Sequence, residues 1–274
     1  MDDVFAHPLR RIREKLVRRI PARPLAARPC RLLTVLVTLV TSITPALCVP
    51  AYASATAVRA PDRSGMTRPL RVMPLGDSIT SGHGSSPWSY RRDLWDDLGA
   101  AGYDIDFVGS QRGGRFGDPD HEGHPGFRID QLDAPVAQWL TTYRPDLVLL
   151  HIGTNDMAQN YLPETAPIRL GLLIDKITGI LPEAAILVAS LIPAGDASIQ
   201  RRIDAFNARI PEVVGTRAQR GDRVYYIDIA SALTPSDLTD ALHPNDTGFR
   251  KMADRWMRAL TALLPPPRDR PAST

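Results

Sequence analysis

Five short apolar runs, at residues 71–75, 105–108, 147–152, 186–189 and 224–227, alternate with segments of helical period. That alternation limits the chain more than any other feature. The run at 147–152 shows no polar–apolar alternation, as expected of a parallel strand buried on both faces. The intervening segments carry apolar residues at helical spacing: Leu94, Trp95 and Leu98 in 90–101; Leu132, Val136, Trp139 and Leu140 in 129–143; Phe249, Met252, Ala253 and Trp256 in 246–263. Further helices are expected over 168–181 and over 199–214, the latter bent near Pro211. A β-then-α order of this kind predicts an α/β protein: one three-layer α/β/α domain with a mostly parallel five-stranded sheet.

Sites in such sheets form beyond the C-terminal ends of the strands. Four segments carrying reactive chemistry follow strands here. Ser78 stands in Gly76-Asp77-Ser78, Gly109 ends the second strand, Asn155 lies in Gly153-Thr154-Asn155-Asp156, and Asp240 and His243 come after the fifth strand. A serine hydroxyl is inert at neutral pH and needs a base to take its proton. An unperturbed imidazole, with a pKa of about 6.5, suits that exchange. His243 is the expected base. Asp240, three residues before it, would fix the ring's tautomer and stabilise the imidazolium. Pro244, with Asn245 or Asp246 as an N-cap, would hold the segment at the mouth of the last helix. The expected oxyanion donors are the backbone N–H groups of Ser78 and Gly109 and the side-chain amide of Asn155. Gly113 and Gly114 stand close enough in sequence to replace Gly109.

Charge is divided unevenly. Residues 1–53 hold nine of the 33 Lys and Arg but three of the 30 Asp and Glu, so a leader of +6 precedes a remainder of −3. With the leader set aside, no basic footprint for nucleic acid is left. The positive stretch from Arg10 to Arg31, the apolar run 32–49 and Ala51-Tyr52-Ala53 together read as a signal peptide cut after Ala53. A retained single anchor is the competing reading, because the apolar run is about long enough to span a membrane. Both cysteines, Cys30 and Cys48, lie in the leader, so the mature chain has no disulfide and no thiolate chemistry. Residues 54–70 read as a linker, 71–262 as the domain and 263–274 as a disordered tail. A secreted monomer with no membrane contact after cleavage is expected.

Other polar residues carry weaker signals. His121 and His124 are three apart beside Gly123 and Pro125, which is not a helical zinc motif, and no metal or cofactor is expected. His83, Trp88 and His124 are candidate substrate contacts; the competing readings are that His83 caps the glycine-rich loop and that Trp88 covers the core rather than stacking on a sugar ring. His151 reads as a hydrogen-bonded core histidine, and Trp139 and Trp256 as structural. Asp77 and Asp156 are expected to brace loops through side-chain-to-backbone bonds rather than to enter the chemistry.

These blocks together resemble the SGNH, or GDSL-type, hydrolase superfamily over residues 71–262. Gly76-Asp77-Ser78-Ile79-Thr80 matches its nucleophile block, Gly109 its glycine block, Gly153-Thr154-Asn155-Asp156 its asparagine block and Asp240-Ala241-Leu242-His243-Pro244 its acid–base block. The resemblance implies a flavodoxin-like SGNH hydrolase fold. A narrower likeness is to carbohydrate esterase family three, the acetylxylan-esterase-like branch. It rests on Met73-Pro74-Leu75-Gly76-Asp77-Ser78, Asp106-Phe107-Val108-Gly109-Ser110, Asp120-His121-Glu122-Gly123-His124-Pro125-Gly126 and Leu149-Leu150-His151-Ile152-Gly153. It implies a serine esterase that deacetylates polysaccharide through an acyl-enzyme. The alternatives are a lipase or short-chain acyl esterase of the same superfamily, a catalytically silent carbohydrate-binding protein, and a phosphate-binding flavodoxin-like protein. The last lacks the glycine-rich cradle with a lysine that it would need.

Overall fold

The structure is a computed structural model that describes residues 68–84 and 88–267. β1 (Leu70–Gly76) runs into a one-turn helix, α1 (Ser78–Ser81), followed by α2 (Ser89–Ala100) and β2 (Ile105–Phe107). Two short strands come next, β3 (Gln111–Arg112) and β4 (Asp120–Gly123). Then follow α3 (Ile129–Asp133), α4 (Val136–Tyr143), β5 (Leu147–His151), α5 (Thr154–Ala158) and α6 (Ala166–Ile180). The described chain closes with β6 (Ala185–Ala189), α7 (Ala197–Asn207), α8 (Ile210–Gln219), β7 (Val224–Ile227) and α9 (Asp246–Leu263).

The sheet has seven strands in the order β3-β4-β1-β5-β6-β7, with β2 also paired to β1. Every pairing is parallel except β3 with β4. The five expected strands are all present, and β3 and β4 are additional. β2 and β4 share one edge of β1: β2 pairs with Leu70–Val72, and β4 pairs with Leu75 and Gly76. β4 escaped the hydrophobic pattern because its buried side chains are His121 and Glu122, held by polar bonds.

Side chains alternate across the sheet. Met73, Leu75, Val148, Leu150, Ile186 and Val188 pack under α3, α4, α6, α7 and α8. Val72, Leu147, Leu149, Ala185 and Leu187 pack under α2 and α9, where Trp256 is fully buried beside Tyr90. Two expected helices are split. Pro135, which has no N–H to donate, separates α3 from α4. The break before α8 puts Pro211 in that helix's first turn, where a missing N–H costs nothing.

The domain also runs past the expected boundary at 262. Leu263 is helical, Leu264 is 5% exposed, and Pro267 lies against Gly102. At the other end, Arg68 makes two 2.8 Å bonds to Asp146. The leader, most of the expected linker and residues 268–274 lie outside the described residues.

Candidate active site

Ser78 is the first residue of α1 and is 8% exposed. The turn that delivers it needs glycine at 76, where a Cβ would stand 2.3 Å from the His151 carbonyl oxygen. Asp77 caps α1: its Oδ1 accepts the Ile79 N–H at 3.0 Å. Gly82 closes the helix in the left-handed region, at φ +106°. The fully buried Arg91 fastens α1 from α2, donating from Nε to the Thr80 carbonyl at 2.9 Å and from Nη2 to the Ser81 carbonyl at 3.1 Å.

The partner segment is equally fixed. Ser78 Oγ lies 2.9 Å from His243 Nε2, and His243 Nδ1 lies 2.8 Å from Asp240 Oδ2. The other Asp240 oxygen accepts the backbone N–H groups of Leu242 and His243, both at 2.7 Å. Burial works to raise this carboxyl, but those backbone bonds and the ring outweigh it and hold it below the usual carboxylate range. Asn245 caps α9 by accepting the Gly248 N–H, and Gly195 N–H donates to the Ala241 carbonyl. Gly248 packs so closely that a Cβ would lie 2.4 Å from the Asp237 carbonyl oxygen. Residues 165 positions apart in sequence thus meet in one chain of hydrogen bonds.

Asn155 stands in the first turn of α5, and its Nδ2 donates to the Phe127 carbonyl at 3.0 Å. That bond orients the amide and uses one of its two N–H donors. Gly109 is not placed with these groups. Because β4 takes over the edge of β1 beyond Val72, Gly109 is buried against the β4 backbone, where a Cβ would meet His121 at 2.2 Å. The turn after β4 reaches the Ser78 end instead: His124 N–H donates to the Gly76 carbonyl, and Gly126 (φ +80°) precedes Phe127. Gly113 and Gly114 line a separate groove with Trp88.

The His83 ring centroid is 6.1 Å from that of His243, and its Nδ1 meets Ser81 Oγ at 3.0 Å. His124 is stacked on Phe127 at 4.8 Å and on Trp139 at 4.6 Å, and its Nε2 bonds Glu122 at 2.6 Å. Trp139 therefore packs on the core and on this histidine at once. His121 faces inward, with Nδ1 accepting the Gly123 N–H; burial, then Arg91 and His124, push it down to about 3. His151 is buried at the end of β5 as expected, but among the described residues neither ring nitrogen has the expected hydrogen-bond partner, and burial pushes it down to about 4. Among the described residues, no three His, Cys, Asp or Glu side chains are grouped to hold a metal ion.

Asp156 braces the site as expected, accepting the Ile129 N–H at 3.0 Å and pairing with Arg169 at 2.6 Å. Asp77 has a second feature. Burial pushes its carboxyl up to about 7, against the pull of the Ile79 N–H and of His243. Its Oδ2 and the Thr154 hydroxyl are both buried and interact with each other, which also lowers the carboxyl, although their geometry falls short of a well-formed hydrogen bond. Sequence reading missed Glu122, Arg91 and Thr154. Only Glu122 left a signal, as a charge inside a segment that resembles a family block.

A hydroxyl, an imidazole and a carboxylate in series can move a proton off the hydroxyl and return it to a leaving group. Comparison with known proteins bears on that chemistry. The GDSL-like lipase/acylhydrolase family model matches residues 75–251. The solved family 3 carbohydrate esterase of Clostridium thermocellum is 36% identical, with a TM-score of 0.64 over 70% of this chain and 99% of that one. A solved carbohydrate esterase family 3 protein of Talaromyces cellulolyticus is 26% identical, with a TM-score of 0.64 over 71% and 97%. A multidomain esterase of Ruminococcus flavefaciens is 28% identical over 75% of this chain. The chain spans less than two thirds of the curated relatives it matches, 30% in the multidomain esterase.

Proposed function

The chain belongs to the GDSL-like lipase/acylhydrolase family and is a carboxylic ester hydrolase; from that premise we propose that it is a secreted serine esterase removing O-acetyl groups from polysaccharide. The observation that carries the mechanism is the chain Ser78 Oγ, His243, Asp240, with links of 2.9 and 2.8 Å. His243 Nε2 takes the Ser78 proton as Oγ attacks the ester carbonyl carbon. Asp240 holds Nδ1–H and stabilises the imidazolium. The imidazolium then protonates the departing sugar oxygen, leaving acetyl on Ser78. Water, deprotonated by the same ring, releases acetate and restores the hydroxyl.

Charge on the tetrahedral oxygen meets the Ser78 N–H, which has no intrahelical acceptor at the first position of α1, and the remaining Asn155 N–H. In this reading a backbone N–H of the Gly126 turn, which follows β4 and leads into the Phe127 carbonyl bonded by Asn155, serves as the third donor in place of Gly109. The solved relatives, both carbohydrate esterases, support the acetylated-sugar reading, and the charged leader with its Ala-x-Ala end supports export.

A panel of aryl esters of increasing chain length, run beside acetylated xylo-oligosaccharides, tests the substrate. Efficient release of acetate from the saccharides with falling rates on longer acyl chains is expected. Preference for long chains over every acetylated sugar would support the lipase reading instead. Turnover surviving in Ser78→Ala would remove the nucleophile.

A further inference from the structure

Beyond the far end of the nucleophile helix lies an open groove of about 690 Å³, lined by Trp88, Arg112, Gly113, Gly114, Arg115 and Pro119. Arg91 Nη2 ties it to the nucleophile helix, donating at 3.1 Å to both the Ser81 and the Gly113 carbonyls. Ser81 in turn bonds His83, whose ring neighbours His243. The floor of the groove is thus tied through Arg91 to the C-terminal end of the one-turn helix that begins at Ser78.

Its surface combines three features. No side chain rises from Gly113 or Gly114, and at Gly114 none is accommodated: φ is +97° and a Cβ would lie 2.8 Å from the Phe116 ring. Trp88 supplies an indole, with the Arg92 guanidinium 4.8 Å from its centroid. The rim is cationic. Arg92 is paired with Asp93 and Arg112 with Asp120, whereas Arg115 is exposed and makes no ion pair or hydrogen bond among the described residues. That uncompensated charge stands on a chain whose residues 54–274 carry a net charge of −3. A neutral sugar would use the ring and the flat floor but would leave Arg115 without a role. A pyranose bearing a carboxylate uses all three, stacking on Trp88 and meeting the guanidinium rim.

We infer that this groove is a subsite for a uronic-acid unit, so that the enzyme prefers acetylated polysaccharide carrying carboxylates near the scissile ester. The inference rests on the saccharide reading above, and binding separates the two. Calorimetry with a non-acetylated xylo-oligosaccharide bearing one uronic acid, against its neutral counterpart, reads the groove without any turnover. Tighter binding of the acidic ligand by roughly two- to fivefold is expected, the size of one solvent-exposed ion pair, and it should shrink as salt rises. Arg115→Gln should abolish that difference while leaving aryl acetate hydrolysis unchanged. Trp88→Ala should weaken both ligands. Equal binding of acidic and neutral ligands, or a preference that survives Arg115→Gln, overturns the subsite. Failure of the enzyme to release acetate from any sugar, with the binding preference intact, overturns the substrate reading and leaves the subsite standing.

Discussion

Each link of the Ser78, His243, Asp240 chain can be cut separately, with a different expected loss. Asp240→Asn keeps an acceptor for the Leu242 and His243 N–H groups but gives up the carboxylate that fixes the ring, and kcat should fall by about 10⁴ with folding intact. Asn155→Ala should lower kcat by about 10²–10³ with little change in KM; an effect confined to KM would make Asn155 a substrate contact. Asp77 belongs to stability more than to chemistry. Its carboxyl is raised to about 7 in the folded protein against about 4 when unfolded, so the native state holds an extra proton between those values. Its contribution is complete below pH 4 and is lost as pH rises through 7. Urea titrations should therefore show the native protein losing stability relative to Asp77→Asn between pH 4 and 7; parallel curves would show that Asp77 is ionised throughout. At this scale the triad was legible because strand ends and a three-residue spacing mark it in sequence. Gly109 misled because the handover from β2 to β4 along β1 is a matter of register, which leaves no trace in local composition.

Among the elements, α2 does more than cover the sheet. Its Arg91 serves four backbone carbonyls, those of Thr80, Ser81, Gly113 and Pro119, and so joins the nucleophile helix to the segment between β3 and β4. Burial lowers that guanidinium to about 10, still charged at neutral pH. Arg91→Met would strand these acceptors at about 1–3 kcal/mol each where they stay dry. A loss of at least ~3 kcal/mol in urea unfolding and a lower kcat are expected; unchanged stability would mean that the carbonyls find other donors. No periodicity marks this residue, since a buried arginine looks like a solvated one in sequence. The same reason hid β4. The five apolar strands and α9 were legible because their burial is hydrophobic, whereas β4 is buried through Glu122 and its bonds to Ser110 and His124.

For the whole molecule, two packed faces and one sheet edge divide the work: the core fixes the strands, and the loops beyond their C-terminal ends hold the reactive groups. The chain's last described stretch belongs to that core. Ending the protein at Leu263 would remove the Leu264 side chain from the cluster beneath α9, and a loss of about 2 kcal/mol is expected from urea unfolding; an unchanged midpoint would return residues 264–267 to a tail. The most direct measurement of the mechanism is mass spectrometry of the enzyme quenched in acid during turnover of an aryl acetate. One acetyl group on the peptide containing Ser78, absent from Ser78→Ala and accumulating when deacylation is slowed, is the expected result. Full turnover with no acetylated Ser78 under any condition, or with acetyl on another residue, would contradict it.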